Sequence, residues 1–199
     1  SGDVVRMELH DSSGGQVHPG MGVEAFLQID RERIHTLTGP IQVEGAEPGD
    51  ALVVEVLDLQ HEGWAWTSFI PGLGLLKEHF HQPFLQLWEL DGDQTRSLPG
   101  VTLDLHPFCG IMGVCPAMDG DQRTRPPGHF GGNMDVRHLT RGSVLRLPVQ
   151  VPGALFSAGD AHAAQGDGEV CINGMEAPMV LTARFTLEKG KAPPAPEAS

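Results

Sequence analysis

The chain has 199 residues, of which 40% are hydrophobic and 20% charged, and it carries a formal net charge of −13. That length and mix describe one folded domain with a real core rather than a disordered chain. The acidic balance excludes a nucleic-acid or anionic-membrane surface, since both need a basic face, and it suits a small neutral or cationic substrate. Three cysteines (Cys109, Cys115, Cys171) cannot all pair within one chain, so a reducing cytoplasm is the default. No apolar run approaches the ~20 residues of a membrane helix, and no basic-then-apolar leader precedes the first strand. The opening at Ser1, without an initiator Met, reads as a cut or processed N-terminus.

Taken in order, residues 3–9 alternate and predict a strand, and 11–16 (DSSGGQ) carry turn chemistry. A polar connection leads to a turn at Gly39-Pro40, a short strand at 41–43 and a second turn at 46–50. Residues 51–59 predict the clearest strand, with Val54, Val56 and Asp58 on one face and Val53, Glu55 and Leu57 on the other. An acid closing an apolar face is either a solvated strand end or a ligand. Trp64 and Trp66 alternate, PGLGLL makes a loop, and 75–90 has room for a short helix before the hairpin-type turn Asp91-Gly92-Asp93. Residues 103–116 read as strand and loop, and 117–135 as a long irregular loop of the kind that carries function. Strands follow at 143–151, 154–157 and 179–187. Many short β-runs and almost no helical periodicity predict an all-β sandwich or barrel-like domain over 1–188, with few short helices and a disordered Pro/Ala-rich tail at 189–199.

The stretch 153–176, GALFSAGDAHAAQGDGEVCINGME, concentrates the chemistry. It packs Asp160, His162, Gln165, Asp167 and Glu169 into ten residues between two apolar runs, 149–156 and 179–187, and is punctuated by Gly159, Gly166, Gly168 and Gly174. Acids and an imidazole between buried strands are costly to place for stability alone. Asp160 and His162 are two apart, so an extended backbone points them the same way, as two ligands of one zinc would require. His35 or Asp58 can supply a third ligand. Glu169 can take a proton from a metal-activated water. Taken singly, each of these residues also fits a capping or turn-forming role.

Other motifs are weaker. Gly131-Gly132-Asn133 before Asp135 allows close backbone approach and offers both a donor and an acceptor to an amide, or makes a tight turn. Cys109 and Cys115 lie in an apolar run, FCGIMGVCP, without an adjacent base, which fits buried hydrophobes better than a nucleophile. No G-x-S-x-G elbow, P-loop or Rossmann fingerprint occurs.

Four segments together, TGPIQVEGAEPGD, GIMGVCPA, PPGHFGGNMDVRHLTRGS and LPVQVPGALFSAGDAHAAQGDGEVCINGMEAPM, resemble the acetamidase/formamidase family. The likeness extends over most of residues 1–188, although family members are longer at both ends. It implies hydrolysis of the C–N bond of a small neutral amide such as formamide or acetamide, an all-β fold, a bound divalent metal (zinc, or else calcium) and a homo-oligomer, with a dimer the first expectation. Matched motif by motif, it marks His35, Asp58, Gly131, Gly132, Asn133, Asp135, Asp160, His162, Gln165, Asp167, Glu169 and Glu176. The roles assigned are metal ligands for His35, Asp58, Asp160 and His162; substrate contacts for Gly131, Gly132, Asn133, Asp135 and Gln165; and proton transfer for Glu169 and Glu176. Two other readings stay open. One is a non-catalytic metal- or ligand-binding β module. The other is a metal-independent amidase that uses a carboxylate pair, Glu169 with Asp135 or Glu176.

Overall fold

Strand Ala51–His61 buries Val54 and Val56 on one face, as its alternation predicts, and around it the chain builds its larger sheet. This is seen in a computed structural model of the chain, which describes residues 2–199. The strands in chain order are β1 (Asp3–Leu9), β2 (Leu37–Ile41), β3 (Ala51–His61), β4 (Trp64–Phe69), β5 (Phe84–Asp91), β6 (Gln94–Thr95), β7 (Leu103–Asp104), β8 (Phe108–Gly113), β9 (Gly131–Asn133), β10 (Val144–Pro148), β11 (Phe156–His162), β12 (Met179–Glu188) and β13 (Glu197–Ala198). They form three antiparallel sheets of order β1-β12-β3-β10-β13, β2-β11-β8-β9 and β4-β5-β6-β7. The first two share one core, into which Leu181, Ala183 and Phe185 of β12 face Met112 of β8 and Phe156 of β11. Phe156 meets Phe185 edge-on with centroids 5.0 Å apart, a favourable aromatic geometry that ties the sheets together. β8 (FCGIMG) is buried along its whole length, which explains why it reads as a continuous apolar run instead of an alternating one.

A smaller core of Val17, Phe26 and Trp66 lies beside it, with Ile29, Ile70, Leu85 and Leu87 packed around. The fold is all-β with little helix. A short α-helix, Val23–Phe26, and a 3-10 turn, Arg31–Arg33, fall in the connection expected to be merely polar. Residues 75–90 hold no helix. Pro83 interrupts any helical run there, and Phe84–Asp91 is a strand paired with β4. No helix among the described residues is long and apolar enough to cross a membrane.

The tail also departs from expectation. Asp50 accepts hydrogen bonds from Lys189 Nζ (2.6 Å) and Gly190 N (2.8 Å), and Glu197–Ala198 pairs with β10. Composition predicted disorder because Pro and Ala bury little surface; here backbone hydrogen bonds and one buried carboxylate hold the segment instead.

Candidate active site

Asp160 and His162 do not sit in a turn. They are the end of β11, which runs on past the residues expected to close it, and Asp160 is buried at 4% exposure and His162 at 1%. A backbone irregularity brings them together: Asp160 has φ +52°, skewing the strand so that its Oδ1 lies 3.5 Å from His162 Nε2. The third member is Glu176, with Oε1 3.0 Å from the same nitrogen and 1% exposure. Glu176 reaches this position because its backbone exchanges two 2.8 Å hydrogen bonds with Trp66 of β4 and bridges to His162, so the 163–178 connection is tied to β4 and β11 by isolated β-bridges at this one residue. Asp160, His162 and Glu176 thus present ligand atoms within 4.8 Å of one another, and Asp135, His162 and Glu169 form a second such group.

The hydrogen bonds determine the state of the imidazole. Gln165 Nε2 donates to the Asp135 carbonyl (3.1 Å), so its amide oxygen faces His162 Nδ1 at 2.7 Å. An amide oxygen can only accept, so Nδ1 carries a proton and Nε2 of the neutral ring keeps its lone pair, aimed at two carboxylates. That arrangement calls for a cation: a proton or a metal ion. The charges of Glu176 and Asp160 hold His162 well above its ordinary pKa despite its burial, which alone would lower it. Burial alone would raise Asp160, but His162 and then His35 hold it below its usual value. Glu176, fully buried, is raised.

Four buried polar atoms here find no hydrogen-bond partner: Asn133 Oδ1, Asp135 Oδ1, His162 Nε2 and Glu176 Oε2. Buried polar atoms are normally satisfied, so a cluster of lone pairs is a place for a cation or a donor ligand. The donor set fits a divalent metal. Imidazole nitrogen with two carboxylates suits zinc, and the Gln165–His162 contact is the usual outer support of a ligating histidine.

Asn133, Asp135, Asp160, Glu169 and Glu176 line a cavity of about 350 Å³ together with His35, Ser12, Trp66, Arg125 and Asn173, while His162 lies behind its Asp160 and Glu176 partners. Five residues on it (His35, Asp135, Asp160, Glu169 and Ile172) are non-glycines at positive φ, a costly conformation that gathers at functional sites. Burial, then the Asp160 charge, pushes the Asp135 carboxyl up to about 6. Burial, then the Asp135 charge, pushes Glu169 up to about 7.

The Acetamidase/Formamidase family model matches residues 1–121 and 117–195. The chain belongs to the acetamidase/formamidase family. An acetamidase of Mycolicibacterium smegmatis is 30% identical over 85% of the chain, and a formamidase of Methylophilus methylotrophus 30% over 87%. The chain covers only 57% and 56% of those relatives, so it spans a little over half their length. The crystal structure of an acetamidase from Bacillus halodurans superimposes with a TM-score of 0.93 at 36% identity, covering 100% of this chain and 66% of that one.

Within this family member, several residues stand elsewhere than their motif suggested. Asp58 accepts from Gln60 Nε2 (2.7 Å) on β3 and does not line the cavity, because the alternation that gave it an inward face breaks at a register shift opposite Thr182–Ala183. His35 lines the cavity and acts on Asp160 through charge, outside both ligand groups. Gln165 faces away from the cavity and orients His162 rather than touching its contents. Gly131 and Gly132 stay out of it too: a Cβ on Gly131 would lie 2.5 Å from the Met112 carbonyl, so these glycines allow β9 to press on β8 and aim Asn133. Glu176 lies in one group with Asp160 and His162. Asp167 is 88% exposed and pairs with Arg137. Cys109 is buried and its thiol is pushed up to about 12, chiefly by desolvation, which leaves no nucleophile there.

Sequence reasoning missed four supports. A Cβ on Gly110 would lie 2.7 Å from Asp135 Oδ1 and 2.9 Å from Asp160 Oδ2, so only glycine lets both carboxylates approach. A Cβ on Gly174 would lie 2.6 Å from His162 Nδ1. Asn173 pairs with both the N–H and the carbonyl of Ser68, at 2.9 Å each, fastening the loop that carries Glu169. Buried Asp11 accepts from Ser13 N and Trp66 Nε1 and so builds the far wall. Gly110 between two motif cysteines and Gly174 beside Glu176 were visible as glycines; what they made room for was not.

Proposed function

We infer that this chain hydrolyses the C–N bond of a neutral amide to ammonia and a carboxylate, in a site where Asp160, His162 and Glu176 hold a divalent metal, with zinc the best match to one nitrogen and several oxygens. The observation that carries the reading is the set of unpartnered oxygens of Asn133, Asp135 and Glu176 in one cavity, with His162 Nε2 3.0 Å behind the other Glu176 oxygen. Relatives named acetamidase and formamidase support it. When bound, such an ion polarises a carbonyl and lowers the pKa of a water from ~16 toward ~7. By accepting from Nδ1, Gln165 would leave the His162 Nε2 lone pair available to hold such an ion. Glu169, half-buried and poised near neutrality, takes the proton of the attacking water and returns it to the departing nitrogen. Asn133 Oδ1 and Asp135 Oδ1 accept the amide N–H hydrogens and so orient the bond to be broken. The free thiols suit a reducing cytoplasm, and assembly as a dimer is the oligomeric form we propose.

The raised Asp135 and Glu169 favour a second reading, in which this carboxylate pair works as acid and base without metal. Ammonia release from acetamide, measured before and after chelation and zinc add-back, separates the two. Loss with chelator and recovery with zinc is the expected result. Release indifferent to chelation selects the carboxylate pair, and metal binding without release on any amide leaves a ligand-binding module.

A further inference from the structure

Beside the carboxylates and Asn133, the cavity is lined by an apolar wall of Phe26, Ile29, Trp66, Ile70, Leu73 and Ile172. The base of the wall is rigid. Phe26 and Trp66 are 2% and 5% exposed with ring centroids 5.5 Å apart, and the Trp66 indole N–H donates to Asp11 Oδ1 at 3.0 Å. The rim is uncovered, with Leu73 43% and Ile172 46% exposed.

Backbone contacts hold that rim in place. Leu73 N donates to the Ile70 carbonyl at 3.1 Å, Leu75 N to the Val170 carbonyl at 2.9 Å, and Ile172 N to the Glu169 carbonyl at 2.7 Å. Ile172 has φ +61°, which is unfavourable for a β-branched side chain. A strained isoleucine exposed on the rim, three residues after the proposed proton carrier, is a poor choice for stability and a good one for contact with a ligand. The volume points the same way. About 350 Å³ corresponds to roughly a dozen waters at about 30 Å³ each, far more than formamide or acetamide displaces. Water against an apolar wall is displaced favourably by an apolar group.

We propose that this wall is an acyl subsite, and that the preferred substrates are primary amides with a larger apolar acyl part, such as an aliphatic chain of about four to six carbons or a phenyl ring. The inference rests on the amidase reading above. The amide end lies at Asn133 and the carboxylates, and the acyl group lies along Phe26, Trp66 and Ile172.

The test is kcat/KM of the metal-loaded protein along formamide, acetamide, butyramide and hexanamide, with benzamide beside them. We expect a rise of about three- to fourfold per added methylene, and a much flatter series in Leu73→Ser and Ile172→Ser, whose exposed positions tolerate a polar side chain. A series that falls beyond acetamide, or a slope that Ile172→Ser leaves intact, overturns the subsite while leaving the amidase reading standing. If no amide is turned over, that reading fails separately, and calorimetric titration decides the subsite. Tighter binding of hexanamide than acetamide, weakened by Ile172→Ser, upholds it; equal or absent binding overturns it.

Discussion

Asp50 and Glu176 are both buried carboxylates, 3% and 1% exposed, yet their surroundings are opposite in kind. Asp50 is fully answered by its neighbours: Glu47 N at 2.9 Å, Lys189 Nζ at 2.6 Å and Gly190 N at 2.8 Å. The Lys189 hydrogen bond, followed by those of Gly190 and Glu47, holds its pKa down at about 2. Glu176 keeps one oxygen bound to Gly174 N and leaves the other without a partner, beside an imidazole whose lone pair is also unanswered. Burial of an acid therefore does not mark function. Burial with the hydrogen-bonding left incomplete does, because a fold that gains nothing from such a group keeps it only for something that completes it.

Substitutions sharpen the contrast. Removing His162 (His162→Ala) should have the largest effect, abolishing zinc retention and lowering ammonia release by about a thousandfold or more, read by metal analysis and turnover. Glu169→Gln should lower kcat by about 10²- to 10⁴-fold while metal content stays that of the unaltered protein; equal turnover would remove the proton-carrying role. Gln165→Leu should weaken zinc affinity by about 10- to 100-fold, since the ring loses the partner that sets its tautomer; unaltered affinity would show that His162 needs no such support.

Asp50→Asn should have the smallest effect, leaving turnover alone and lowering the melting temperature slightly, with the loss present at neutral pH and vanishing in acid. The sign follows from its depressed pKa. The ionised Asp50 stabilises the fold above the ordinary carboxylate range near 4, and that contribution disappears as pH falls through about 2. Melting profiles of the two proteins should converge at low pH and separate as pH rises. Parallel profiles would mean that the Lys189 contact contributes nothing.

The order of most strands was legible because burial on one face writes itself into alternation, as at Val54 and Val56 of β3, and because glycine and proline mark where strands stop. The D-x-H pair was legible for the same local reason. Tertiary contacts decided the rest. Residues 75–90 have enough long side chains for a helix, but Phe84–Asp91 became a strand because β4 offered an open edge to pair with. Asp58 and Glu176 look equally eligible in sequence, and only a register shift in β3 and the hydrogen bonding of Glu176 to Trp66 separate the solvated acid from the buried one. Chain composition determined that acids, an imidazole and glycines would cluster near residues 153–176. Which of them share a lone-pair cavity was decided by long-range backbone pairing, whose partners lie up to about a hundred residues away and leave no trace in local spacing.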